Sequence, residues 1–198
     1  MSLNKKLLLY TVTSLTILIL VLGFLSYQEV RQNVEEEAYR ICERLVAEVE
    51  ASRSYVREVL RPKTANFVKS GEFVPEMMSA SFVARSIFER FLKLYPDYHI
   101  KFASFNPRNP INKADKVEIE ILNYFEQEFE LDHKWEGIVS RKDQEYFTVA
   151  RSFPLKKACL RCHGDPNDAP KSLVEKYGNV NGFGMKVGDI TMYSVGTT

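Results

Sequence analysis

An α+β domain behind a long N-terminal helix is the fold that the sequence predicts, on three observations. An uncharged apolar run over residues 7–27 opens the chain, and a helical stripe follows it with no glycine or proline between Gly23 and Pro62. The second half alternates in short apolar segments separated by turn residues. With 198 residues, 45% of them hydrophobic, the chain has room for one globular domain and an accessory segment. Its formal charge is +1, from 27 basic and 26 acidic side chains, so no global field points to nucleic acid as a partner.

The 21 residues from Leu7 to Tyr27 are rich in Leu, Ile and Val. At about 1.5 Å per residue they span roughly 30 Å, the thickness of a bilayer's hydrocarbon core. No A-x-A-like cleavage site follows, which favours an uncleaved single span over a signal peptide. Lys5 and Lys6 precede the run, while Glu29, Glu35, Glu36 and Glu37 follow it against Arg31. The positive-inside rule then puts the N-terminus in the bacterial cytoplasm and everything from residue 28 onward in the periplasm. The domains expected are an anchor over 1–27 and a periplasmic domain over 28–198.

Val30, Val34, Ala38, Ile41, Leu45, Val49, Val56 and Leu60 recur at three- and four-residue spacings, which predicts that the anchor continues as one helix. Pro62 is expected to end it near Arg61. A second helix is predicted over 77–94, with Phe82, Val83, Ile87, Phe88, Phe91 and Leu92 on its apolar face and Pro96 beyond its end. A strand is expected over 98–105, turns over 106–112 (NPRNPIN), a helix over 114–129, a hairpin of 136–141 and 145–153, and a last strand over 189–195. Helices around a small antiparallel sheet are compatible with a PAS-like fold.

The chemistry concentrates in residues 159–163, CLRCH, the C-x-x-C-H pattern of c-type haem attachment. Two thiols at this spacing add across the porphyrin vinyl groups, and the adjoining imidazole reaches the iron. Cys159 and Cys162 are thus the candidate covalent attachment points for one haem c, and His163 the proximal ligand. The alternatives are a redox pair, which is expected beside a βαβ unit, a zinc site, which needs a fourth ligand, and a structural disulfide that leaves His163 without a task.

The segments KFASFNPRNPINKAD (101–115), EYFTVARSFPL (145–155), CLRCHGDP (159–166) and YGNVNGFGMKVGD (177–189) resemble the PAS-like c-type-haem domain of unknown function 3365. That resemblance covers most of residues 30–195. It implies an extracytoplasmic sensor module of the type found in bacterial histidine kinases and chemoreceptors, and also as standalone proteins.

Cys42 is the odd thiol, beside the apolar stripe of the long helix. It is a candidate sixth ligand to the iron, through a thiolate that favours the ferric state, with a small buried hydrophobe as the alternative. His99, His133, Met77, Met78 and Met185 compete for that position. Arg108, in NPRNP, is a candidate partner for a haem propionate, since a guanidinium matches a carboxylate in bidentate fashion; a turn-stabilising role is the alternative. Gly164 and Asp165, directly after His163, are candidates to turn the backbone or accept the imidazole's second N–H.

The function expected is that of a membrane-anchored sensor of redox state or of a small gas such as NO or CO, with homodimer formation through the N-terminal helix. A monohaem electron-transfer cytochrome with a redox partner protein is the first alternative, and a haem-free extracytoplasmic binding module the second. No paired carboxylates, Ser/His arrangement or phosphate loop points to an enzyme.

Overall fold

The computed structural model describes residues 2–64, 67, 72–127, 134–141 and 144–198. The chain divides into two compact units, Met1–Ala38 and Tyr39–Thr198. Residues 28–38, assigned from sequence to the second domain, belong to the first unit; apart from partly covered Gln28 and Ala38, they are exposed.

The first unit is helical, the opening part of α1 (Leu3–Tyr55). Its apolar residues stand fully exposed, and the helix is long and apolar enough to cross a membrane. Thr11, Thr13 and Thr16 donate their hydroxyl protons to carbonyls four residues back, at 3.1, 2.8 and 2.9 Å, so these polar groups are satisfied within the helix.

In the second unit α1 runs on to Tyr55, passes into a π-helical turn Val56–Leu60, and resumes as α2 (Arg61–Thr64). The expected stop at Pro62 does not occur. A proline removes one helical N–H and crowds the carbonyl four residues back. Here the N–H of Arg61 reaches five residues back, to the Val56 carbonyl, and the wider turn lets the chain accept Pro62. The predicted helix over 77–94 is two pieces, α3 (Pro75–Met78) and α4 (Ala80–Leu94). Ser79 separates them in extended conformation and caps α4, its hydroxyl accepting from the Phe82 N–H.

Four strands follow: β1 (Tyr98–Ala103), β2 (Lys134–Arg141), β3 (Gln144–Pro154) and β4 (Ile190–Thr197). They form one antiparallel sheet in the order β1-β4-β3-β2. Between β1 and β2 lie a 3-10 turn, Pro110–Asn112, and α5 (Lys116–Gln127). The ends expected at 128–129, and the middle of the hairpin turn at 142–143, lie outside the described residues.

β4 is central, so its residues 192–197 are all buried, and the period of two sorts them between two cores. On one face Tyr193 and Val195 pack with Val149, Phe102, the α1 residues Cys42, Leu45, Val46 and Val49, and Ala84 and Phe88 of α4. On the other, Met192 and Ala150 meet Ile121, Leu122 and Phe125 of α5. That second helix is started by a reciprocal pair: Asp115 accepts from the Glu118 N–H and Glu118 from the Asp115 N–H, both at 2.9 Å. Glu118 is fully buried and tied to Lys101 at 2.6 Å and Arg141 at 3.1 Å, two cations that offset the cost of its desolvation.

Candidate functional site

The C-x-x-C-H segment leaves the end of β3 and winds into a helix at once. A 3-10 turn, Lys157–Cys159, leads into the single-turn α6 (Leu160–His163). Residues three apart on a helical turn share a face, so the backbone presents the two thiols together and His163 directly after them. Gly164 ends the turn, its N–H bonded to the Leu160 carbonyl at 2.8 Å; a Cβ there would lie 2.7 Å from that same oxygen, so only glycine fits. Asp165 accepts from the Asn167 N–H, a local turn contact.

A loop from the β4 side closes over this turn. The His163 carbonyl accepts from the Met185 N–H and the Gly164 carbonyl from the Gly184 N–H, each at 2.9 Å. The imidazole Nδ1 lies 2.9 Å from the Gly182 carbonyl. A carbonyl only accepts, so this contact places the proton on Nδ1 and leaves the Nε2 lone pair for a metal. Burial above all, with Arg108 nearby, pushes the His163 pKa down to about 4, so the ring is neutral at ordinary pH, the state in which imidazole is a ligand.

The NPRNP loop is the third strut. Asn106 donates to the Phe183 carbonyl at 3.2 Å and accepts from the Gly182 N–H at 3.4 Å. Arg108 donates through Nη2 to the carbonyls of Cys162 and Gly182, the latter at 3.1 Å, and its guanidinium lies 4.6 Å from the Phe183 ring centre. This arm of the guanidinium ties the turn to the loop, the turn-stabilising alternative, while the buried Nε has no hydrogen-bond partner. Gly182 has φ of +72°, and a Cβ on it would sit 2.8 Å from the Arg108 Cβ, so the clamp requires glycine twice over.

Burial raises the Cys162 thiol pKa, while Arg108, Arg161 and Arg61 pull it back down. Arg61 itself donates Nε and Nη2 to the Met78 carbonyl at 3.1 and 2.8 Å. Arg53, on α1, covers the Phe153 ring at 3.8 Å, close to the end of β3 that leads into the motif.

The structure places Cys42, the expected sixth ligand, in the apolar core and not in this cluster. Its thiol is fully buried in the apolar core and lies 3.5 Å from the Phe147 carbonyl. From Phe147 to Pro154, where β3 leads to the motif, is about 23 Å of strand, and from Cys42 to Arg53 about 16 Å of helix. Burial pushes its pKa up to about 11, which disfavours the thiolate a metal requires. Among the competitors, His99 lies in β1 against the Tyr146 ring, Met78 accepts from the Val74 N–H through sulfur, and Met77 is partly exposed. Met185 meets His163 through its backbone, and His133 lies outside the described residues.

The residues present suit a c-type haem. Two thiols on one turn and a neutral imidazole with a fixed tautomer and its Nε2 lone pair available are the groups that its attachment uses, and arginine charge acts on the Cys162 side of that turn. Among the described residues no group of three or more His, Cys, Asp or Glu side chains converges as a metal-binding cluster, which weighs against the zinc alternative. Asn106, Gly182 and Arg53 were missed as site residues from sequence. Asn106 and Gly182 lie inside the segments on which the family resemblance rests, and Arg53 is betrayed by being a cation in an apolar stripe.

Fold and site together define an α+β domain built around a C-x-x-C-H turn. The Tll0287-like family profile matches residues 30–195, and the chain belongs to that family. Among solved structures it is similar to one titled as the crystal structure of the cyanobacterial haem-protein Tll0287, at 19% identity and a TM-score of 0.59, covering 81% of this chain and 94% of the other. At that identity the likeness shows the fold alone. No curated protein matches the chain.

Proposed function

We propose that this chain is a monohaem c-type domain of PAS-like architecture, anchored by residues 7–27 and facing the periplasm, that senses redox state or a small gas. The observation that supports it most is the His163 to Gly182 contact beside paired Cys159 and Cys162. The relative's description as a haem protein points the same way. Cys159 and Cys162 would hold the group covalently and His163 would ligate its iron, which when bound supplies one-electron chemistry and a coordination position open to exchange. The chain's own residues keep the imidazole neutral, orient it through Gly182, and seal the turn through Arg108 and Asn106.

Sensing is favoured over electron transfer by α1, since the helix that contains the apolar run also supplies Arg53, over the end of the strand that leads into the motif, and ends in a π turn, a device frequent at functional sites. The full chain, produced with the cytochrome c maturation machinery, should gain the mass of one haem that resists acid-acetone extraction. Ferrous protein should bind CO rapidly. Extractable haem defeats the reading, and a permanently six-coordinate iron indifferent to CO turns it toward an electron carrier.

A further inference from the structure

The buried stripe of α1 proceeds through Cys42, Leu45, Val46 and Val49 and resumes at Val56, and the position between them is an arginine. Arg53 is 7% exposed. Its Nη1 meets Glu50 at 3.0 Å, and Glu50, itself half-exposed, is shared with Arg57 at 2.6 Å, so two cations stand against one anion. Its Nε is buried with no hydrogen-bond partner. The guanidinium packs over Phe153 at 3.8 Å and near Tyr193 at 5.5 Å, and Phe153 lies near the end of β3, the strand before the C-x-x-C-H segment.

Stacking alone does not account for this choice. A methionine or leucine would fill the same stripe against Phe153 and Tyr193, and replacing a buried ion by an apolar side chain of similar volume is often neutral or stabilising. An unpaired buried donor is costly, because it has given up water and gained no partner. A positive group with an unused donor, over the end of the strand that leads to the attachment cysteines, calls for an anion delivered with the group they hold. Arg108 has a buried Nε without a partner as well, but its Nη2 already serves two main-chain carbonyls.

We infer that Arg53 is a positioning residue that receives a carboxylate of the attached haem, a propionate, and so ties the charge of the group to helix α1. This rests on the haem reading above. A fixed cation at that place stabilises the more negative, ferrous state and holds the reduction potential up.

The test uses the full chain matured with haem, as wild type, Arg53→Met, Arg53→Lys and Glu50→Gln, with midpoint potential and thermal unfolding measured on each. Arg53→Met should keep covalent haem and shift the potential to more negative values, with Arg53→Lys in between. Glu50→Gln, which removes the competing anion, should shift it the opposite way. Attached haem with the same potential in wild type and Arg53→Met, whatever the change in thermal stability, overturns the assignment alone and leaves Arg53 a packing residue. If Arg53→Met does not fold, equal potentials in Arg53→Lys, Glu50→Gln and wild type overturn it equally. A wild type that attaches no haem overturns both readings.

Discussion

Cys42 and Cys162 are both sheltered thiols of the same unit, yet they lie in opposite kinds of surroundings. Around Cys42 the packed side chains are apolar, supplied by α1, α4 and the sheet, and burial pushes the thiol's pKa up to about 11 against only the pull of strand backbone groups at Val149 and Thr197. Around Cys162 the backbone is held by hydrogen bonds from Arg108, Gly184 and Met185, and three guanidiniums counter the effect of burial. The difference teaches that the first region is finished as folded, whereas the second places cations, unused donors and an imidazole lone pair around one turn. A core needs nothing more; a binding site leaves groups to be completed.

The comparison breaks most visibly by exchanging which cysteines are removed. Cys159→Ala with Cys162→Ala should abolish covalent haem entirely, read as loss of the haem mass and of the Soret band after acid-acetone extraction. Retention of covalently bound haem in that double variant would place attachment elsewhere and erase the distinction between the two regions.

Next in size is Gly182→Ala. The substitution imposes a side chain at φ of +72° and drives a Cβ to 2.8 Å from Arg108, so the clamp must open. A loss of about 3 kcal/mol in unfolding free energy is expected, combining backbone strain with lost hydrogen bonds. Chemical denaturation measures it, and a change under about 0.5 kcal/mol, ordinary for a surface position, would show that the loop does not hold the turn.

Much of the fold was legible beforehand because it follows from periodicity: α1, α4, α5, the four strands and the apolar run all appear close to where spacing put them. Pro62 and Ser79 were misjudged for the same physical reason, that hydrogen-bond changes of one residue, a π turn or a cap, leave no mark on an apolar pattern. The motif was legible because its chemistry fixes a spacing. Its partners were not, since Gly182 and Asn106 are brought in from segments 19 and 57 residues away along the chain from His163, and only tertiary packing selects them. Arg108 was singled out but the two carbonyls it serves were not, as a sequence shows a donor and not what it faces.

Acid sharpens the comparison from the histidines. Burial lowers both His163 and His99 to about 4 from an ordinary 6.5. The unfolded chain therefore binds more protons than the folded one between those values, so stability is full above about pH 6.5 and falls as pH drops toward 4. In the haem-free double cysteine variant the loss should be about 2 kcal/mol per histidine, discounted for partial exposure. Replacing His163 by Gln should remove its share of the slope, measured as denaturation midpoint against pH. A slope identical to that of the parent would place the ring in contact with solvent.

The smallest effect, and the sharpest for the contrast between the thiols, belongs to Cys42→Ala. Removing one sulfur from a fully buried site forfeits its packing and leaves a small cavity, at a cost of about 1–2 kcal/mol. Its contact with the Phe147 carbonyl adds little, since a thiol is a weak donor and the carbonyl lies within a paired strand. Because Cys42 lies along α1 and β3 from the C-x-x-C-H turn, haem attachment, the ferric EPR spectrum and the midpoint potential should all equal those of the wild type while thermal stability falls modestly. A ferric spectrum that changes spin state would return Cys42 to the iron, and would require α1 to slide along the sheet by some ten residues, about 16 Å, against the packing of Leu45, Val46 and Val49.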